Sequence, residues 1–459
     1  MKLRMITLFA HLIFFVLGSI NVCSQVASSK FTQVMKDKQI ALIREAASHA
    51  WAGYMEYAKG YDDLKPLTLK GRNWYPHSLL MTPVDAWDTF TILGLKKEAS
   101  EAKGLVLTGL DFDVDNEVQV FEITIRQLGA LITAYEHEHN IRVLQLAKDL
   151  ADRLMPAFNT PTGMPYRYVH LQTGKIRDSI NNPAEIGTLL LEFGQLSKIT
   201  GDNKYFAAAK RAVMEVYKRR GKTGLPGEQI NVITGEWKST ATHISGYIDS
   251  YYEYLYKGWL LFGDEDFHQA FETHAAAIKK HLFVNTPHGL FMKHANMNTG
   301  ELISYEYGAL DAFYAGLLAL SGDVEAAKKN QAANYYMWTH FNVEPEAFDF
   351  MKDTLMSAYY ILRPENIESC YYLYRLTKDD RYLFEGRQMV SDILQHCRTP
   401  EAFASLKNVK TFEQHNSMES FFFGETLKYA YLLFAPEKTI NLKKQVFNTE
   451  AHLFNIKKK

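Results

Sequence analysis

Four aspartates, Asp202, Asp264, Asp323 and Asp379, recur about 60 residues apart, each behind one apolar run and ahead of the next. A glycine precedes the aspartate in Ile199-Thr200-Gly201-Asp202, in Phe262-Gly263-Asp264 and in Leu320-Ser321-Gly322-Asp323. Glycine closes a helix well in the left-handed conformation, and aspartate caps the next one. Each such stretch therefore predicts a tight helix–helix turn, and the period leaves room for two helices and two connections. Weaker turns at Gly94 and at His139-Asn140 extend the series upstream, and a final helix from Ser417 to Phe434 stops at Pro436. The count is roughly seven inner helices, too many for an ordinary bundle and suited to a closed α/α toroid. An open solenoid of helix pairs is the competing architecture.

The acids argue for closure. Glu122, Glu185, Asp249, Asp311 and Glu365 each precede a turn by about 12 to 18 residues, so at 1.5 Å per residue they fall near one level. Any one of them suits a first helical turn, where a carboxylate gains roughly 0.3 to 1 kcal/mol from the dipole. All five in a ring would share one mouth. Carboxylates converging there would face desolvation and mutual repulsion unless protonated or neutralised by a cation, so a hard metal with oxygen ligands is expected. Pro364, Glu365 and Glu368 open one of these inner helices, with the two acids a turn apart on one face.

Composition limits the partner. The 51 basic and 52 acidic residues give a net charge of −1, which offers no footprint for nucleic acid or an anionic membrane. A neutral ligand and a monomeric protein are expected. Aromatics make up 13% of the chain, a supply that serves helix packing first and sugar stacking second. No linker or low-complexity run interrupts the period, so residues 25–459 are expected to form a single domain despite their length.

The N-terminus carries Lys2 and Arg4, an apolar run from Ile6 to Leu17, and Val22-Cys23-Ser24 before Gln25. That pattern is a secretory signal over residues 1–24, so the mature chain carries no integral membrane span. Lipid attachment at Cys23 is the alternative, disfavoured by the bulk of Val22. Cys370 and Cys397 then remain, displaced too far along antiparallel helices for a disulfide, so two free thiols are expected. The absence of any N-x-[ST] sequon fits a bacterial periplasm, or secretion, better than a eukaryotic secretory lumen.

Six stretches, in order, carry a likeness to a known family. They are Val84-Asp85-Ala86-Trp87-Asp88-Thr89, Phe121-Glu122-Ile123-Thr124-Ile125-Arg126, Asp249-Ser250-Tyr251-Tyr252-Glu253-Tyr254-Leu255, Arg363-Pro364-Glu365, Glu425-Thr426-Leu427-Lys428-Tyr429 and Phe447-Asn448-Thr449-Glu450-Ala451-His452. From about Trp51 to Phe454 the chain resembles family 47 glycoside hydrolases, the class I α-mannosidases. The resemblance implies an all-α (α/α)7 barrel with a short C-terminal β-hairpin plugging its floor. It implies removal of terminal α-1,2-linked mannose from mannosides or N-glycans, with inversion and dependence on Ca²⁺.

By the same resemblance, Glu122 matches the acid that protonates the leaving oxygen, Glu365 the base that activates water, and Asp249 the third catalytic carboxylate. Arg126, Glu185, Glu192, Glu346, Arg363, Glu368, Phe421 and Glu425 match substrate-pocket positions. Thr449 would bind Ca²⁺ directly, and Glu368, Glu425 and Glu450 would hold it through water, as an ion with seven or eight oxygen ligands requires. Two carboxyl groups on different helices of a wide ring agree with the 6.5 to 9.5 Å or so that an inverting glycosidase needs.

Two departures bear on the leaving-group side: Tyr247 stands where the family typically has arginine, and Ala309 begins Ala309-Leu310-Asp311-Ala312-Phe313 where it often has a cysteine-containing motif. The preferred glycan and linkage therefore stay open. An exo-acting α-mannosidase is the leading function, and a mannose- or glycoprotein-binding relative without turnover is the alternative. A helical scaffold for protein partners is disfavoured, because such repeats need no acids at one level.

Overall fold

The predicted turns form, with the cap one residue later than predicted at Asp202 and at Asp379. Gly94, Gly201 and Gly263 end their helices at φ of 73°, 76° and 66°. Asp264 and Asp323 cap the following helices by accepting from the Asp266 and Ala326 N–H groups. Asp202 does not cap: Asn203 takes that position, while Asp202 accepts from the Lys204 N–H at 3.1 Å. The turn at Asp379 uses left-handed Lys378 (φ 61°) in place of glycine, and Asp380 is the cap residue.

The computed structural model describes residues 30–456; the signal segment, its cleavage point and Cys23 lie outside the described residues. In chain order, outer and inner helices alternate. Outer α1 (Gln33–Tyr57) precedes inner α2 (Met81–Leu93), and outer α3 (Lys96–Gly109) precedes an inner rod of α4 (Val120–Ile123), a π-turn (Thr124–Leu128) and α5 (Gly129–Glu138). Outer α6 (Ile141–Leu154) leads to inner α7 (Pro183–Gly187) and α8 (Leu190–Thr200), then outer α9 (Lys204–Lys218) to inner α10 (Asp249–Phe262). Outer α11 (Glu265–His281) leads to inner α12 (Phe313–Leu320), outer α13 (Val324–Phe341) to inner α14 (Glu365–Thr377), and outer α15 (Arg381–His396) to inner α16 (Lys428–Phe434).

Burial separates the rings. α6 buries one stripe, Val143, Leu146, Ala147, Leu150, Ala151 and Leu154, the spacing of a one-sided helix. α10 buries every residue from Ser250 to Gly258, four tyrosines included, because it is covered on all sides. α16 packs against α1 and α2, and Asp380 accepts from the Phe31 N–H at 2.8 Å, so the last pair meets the first and the (α/α)7 ring closes. Phe31 adds ring contacts with Phe384 and Phe434, centroids 5.0 and 5.6 Å apart.

The strands are more numerous than the sequence led one to expect. Besides the C-terminal hairpin, short antiparallel pairs build the connections from outer to inner helices, such as Tyr168–His170 with Ile176–Arg177. The final helical run also starts later than predicted. Residues 417–420 are not helical, and Phe422–Leu427 is a π-turn that a 3.6-residue period cannot reveal. Cys370 and Cys397 are free and buried, as expected.

The hairpin Gln445–Phe447 with Leu453–Asn455 enters the ring from the turn end. Asn448 is its hub: the Nδ2 group donates to the Ile125 carbonyl (2.9 Å), a partner in the first π-turn, and to Glu192 (2.8 Å). Its Oδ1 accepts from the Glu450 and His452 N–H groups at 3.0 and 2.7 Å. A methyl group on Gly129 would come within 2.6 Å of the Asn448 Nδ2, so only glycine lets the hairpin seat this deeply. Lys428 Nζ donates to the Ala451 carbonyl (2.7 Å) and to both Asp88 oxygens (3.1 and 2.9 Å), and His452 Nδ1 lies 3.2 Å from Asp88. Lys428 is fully buried, so Lys428→Met would leave Asp88 short of a counter-charge. We expect a loss of about 3 to 5 kcal/mol, the usual cost of breaking a buried pair, measured by denaturant unfolding. An unchanged midpoint would show that the pair does not hold the hairpin.

Candidate active site

At the opposite end the inner helices start around a cavity of about 440 Å³. Its wall includes Glu122 on α4, Asp249 and Glu253 on α10, and Glu365 and Glu368 on α14, with Glu425 from the second π-turn. Thr449 and Glu450 reach it from the hairpin. The carboxylates meet because each lies in the first turns of an inner helical run or at the hairpin tip.

The three expected catalytic acids differ in surroundings. One Glu122 oxygen accepts from Arg126 Nε at 3.0 Å and lies 2.9 Å from Nη2. Asp249 accepts from the Ser250 N–H at 2.7 Å and hydroxyl at 3.3 Å, yet burial raises its carboxyl to about 6. Burial lifts Glu365 to about 7, opposed by Arg363, whose Nη1 is 3.7 Å from Oε1. The other oxygen, Oε2, is buried without a hydrogen-bond partner among the described residues. A buried acceptor left unpaired by the protein is costly unless something else meets it.

The expected pocket residues divide into two layers. Arg126, Glu185, Arg363, Glu368, Phe421 and Glu425 line the cavity. Phe421 lies between two guanidinium groups, Arg126 at 5.7 Å and Arg363 at 5.8 Å from its ring centre, and offers an aromatic wall. Glu346 stands behind, holding Arg363 in a fork of 3.0 and 2.9 Å. Glu192 is likewise outside the cavity: fully buried, it accepts from Tyr254 (2.7 Å) and Asn448, while the Thr449 N–H donates to the Tyr254 hydroxyl at 3.2 Å. These two were expected in the pocket and instead position residues that reach it. Asp311 does not share the mouth. It sits in a 3₁₀ turn (Leu310–Ala312), accepts from the Gly308 N–H at 2.9 Å, and is buried behind the wall.

Residues absent from the expected set complete the wall. Glu253 lies one turn below Asp249 and pairs with buried Lys257. The i, i+4 spacing of Asp249, Glu253 and Lys257 was a legible signal. Arg167 is held in a fork by Glu185, with contacts of 2.8 to 3.1 Å. Tyr247 reaches the rim in the left-handed region (φ 75°), a strain of order 1 to 3 kcal/mol for an aromatic residue.

The floor suits a cation. Burial raises Glu368 and Glu450 to about 8 each, with Lys257 and Arg126 respectively opposing the rise. Glu425 is pushed well above the usual carboxylate range by burial and by the charges of Glu450 and Glu365. Arg126 pairs closely with Glu450, but the carboxylates outnumber the bases around them. No three His, Cys, Asp or Glu side chains among the described residues converge as direct metal ligands.

The family model described as "Glycosyl hydrolase family 47" matches residues 46–456. The chain belongs to this family. The alpha-mannosidase I MNS5 of Arabidopsis thaliana is 35% identical over 93% of this chain and 78% of its own length. Mannosyl-oligosaccharide 1,2-alpha-mannosidase IB of Mus musculus is 36% identical over 89% of this chain and 68% of its own. Among solved structures, the alpha-1,2-mannosidase from Trichoderma reesei superposes with a TM-score of 0.84 at 28% identity, covering 92% of this chain and 99% of that one. The family 47 barrel is thus shared along nearly its whole length.

Proposed function

We propose that this cavity removes terminal α-1,2-linked mannose from oligosaccharides, including N-glycans, with inversion at the anomeric carbon. The observation that carries this reading is Glu365 Oε2, a buried carboxylate oxygen at the cavity wall with no hydrogen-bond partner among the described residues. Such an oxygen can accept a proton from a water. Membership of family 47 and the alpha-1,2-mannosidase names of the relatives support the substrate.

In this mechanism Glu122 supplies a proton, through a water, to the glycosidic oxygen as the bond to the anomeric carbon breaks. Glu365 takes a proton from the water that attacks the opposite face, so the products are β-mannose and the shortened glycan. Arg126 and Arg363 orient the two carboxyl groups, and Phe421 packs on the sugar. Asp249 is the third acid, and its charge adds to the rise of Glu365. Thr449 would hold Ca²⁺ directly, with Glu368, Glu425 and Glu450 reached through water. When bound, the ion offsets the crowded negative charge and grips sugar hydroxyls.

The N-terminal apolar run supports an exported enzyme, acting in a bacterial periplasm or outside the cell. No helix among the described residues is long and apolar enough to cross a membrane. The test is release of free mannose from α-1,2-mannobiose. Chelation should abolish that release and added Ca²⁺ should restore it. Full turnover by the chelated protein would remove the ion from the mechanism, and no release under any condition would remove the hydrolysis.

A further inference from the structure

Three separate parts of the chain meet at the turn end, opposite the cavity. Lys30, the first described residue, precedes Phe31, whose N–H donates to Asp380 in the turn between α14 and α15. α1 then starts beside the end of α14, where Lys36 Nζ donates to the Tyr374 hydroxyl at 2.5 Å. Arg375 Nη2 donates to the Glu437 and Ile440 carbonyls at 2.8 and 2.7 Å, which ties the segment after α16 to the same surface. The acids there are engaged: Glu437 pairs with Lys378 at 2.6 Å, Asp379 lies 3.6 Å from Arg381, and Asp37 accepts from Gln33 Nε2 at 2.8 Å. Lys438, Lys443 and Lys444 are exposed and form no ion pair among the described residues. Two apolar side chains stand out beside them, Val34 at 77% exposure in the first turn of α1 and Leu376 at 46% near the end of α14. The even sum of charges, which offers no footprint for an anionic membrane, thus conceals an uneven spread, with carboxylates gathered in the cavity and unpaired lysines at the far end.

We propose that this face rests on a bilayer carrying anionic headgroups, with the cavity turned away from it. The three unpaired lysines meet the headgroups, and Val34 and Leu376 enter the boundary between headgroups and acyl chains. Because salt screens charges beyond about 10 Å, the surface responds to these lysines and not to the acids across the barrel. The position of the chain start agrees. Cys23 stands seven residues before Lys30 in the sequence, so an anchor at Cys23 would hold this face within about 25 Å of the lipid. The mouth then stays open to oligosaccharides arriving from solution. None of this depends on which bond is cut there.

The test is co-sedimentation of the chain from Gln25 onward, free of lipid, with vesicles of phosphatidylcholine alone or of an equal mixture with phosphatidylglycerol. At about 0.1 M salt, partitioning should be about tenfold or more stronger onto the mixture, and at about 1 M salt the difference should vanish. Lys438→Glu, Lys443→Glu and Lys444→Glu made together should bring binding down to the level seen on neutral vesicles. Lys175→Glu, Lys222→Glu and Lys410→Glu make the same change in net charge on exposed connections at the mouth side, and they should leave binding within about threefold of the parent. Val34→Asp should weaken it severalfold without shifting the unfolding midpoint. No preference of the parent chain for the anionic vesicles, or equal losses from the two sets of lysines, would overturn the proposal.

Discussion

Glu365→Gln should lower kcat on α-1,2-mannobiose by about two to four orders of magnitude, the range a positioned general base contributes. The substitution keeps the size of the side chain and its place beside Arg363 at the head of α14. It removes the capacity of the Glu365 carboxylate to accept a proton from water. Because water must be activated whatever departs, α-mannosyl fluoride should lose rate by a similar factor. Substrate binding should change far less than turnover. A variant that keeps turnover within tenfold of the parent would deny Glu365 the role of base.

Glu122→Gln should separate the same two substrates. An amide cannot protonate a sugar oxygen, so hydrolysis of the disaccharide should fall by about two to four orders of magnitude. Fluoride leaves with little need of a proton, so its rate should stay much nearer that of the parent. The amide oxygen can still accept from Arg126, which limits disturbance of the Arg126 and Glu450 pairing. Equal losses on the two substrates would show that Glu122 is not the acid, and Asp249 would be the next residue to replace.

Much of the ring was legible because the turns obey local rules. Gly201 and Gly263 close their helices in the left-handed region, and Asp264 and Asp323 cap the next, as backbone chemistry alone requires. The shift at Asp202 shows the limit of that rule: the helix starts one residue later, behind Asn203, which makes no side-chain cap bond. The two π-turns were invisible to a search for a 3.6-residue period. One of them leaves the Ile125 carbonyl for Asn448, a partner 323 residues away. Such a pairing has no local signature.

The site was legible where acids open inner helices, and misread where distance along the chain stood in for depth. Asp311 has the shortest lead before its turn and sits in a 3₁₀ turn, where its carboxylate accepts from the Gly308 N–H behind the wall. Glu192 lies lower on its helix than the mouth and meets the hairpin instead. Glu346 and Arg363 are joined by a fork that only the folded loops create. Arg167 was missed because it precedes a short strand, in a connection with no helical period to mark one face. Tyr247 drew notice as a departure from the family, but its left-handed backbone and contact with Ala184 follow from the fold.

The central claim is that a water activated by Glu365 attacks the anomeric carbon directly, from the face opposite the leaving oxygen. Proton NMR of the first mannose released from α-1,2-mannobiose, recorded before mutarotation, tests it most directly. The account predicts the β-anomer as the initial product, with α-mannose growing in only as the sugar equilibrates. Initial α-mannose would require a covalent intermediate on a carboxylate nucleophile and would contradict the assigned roles of Glu122 and Glu365.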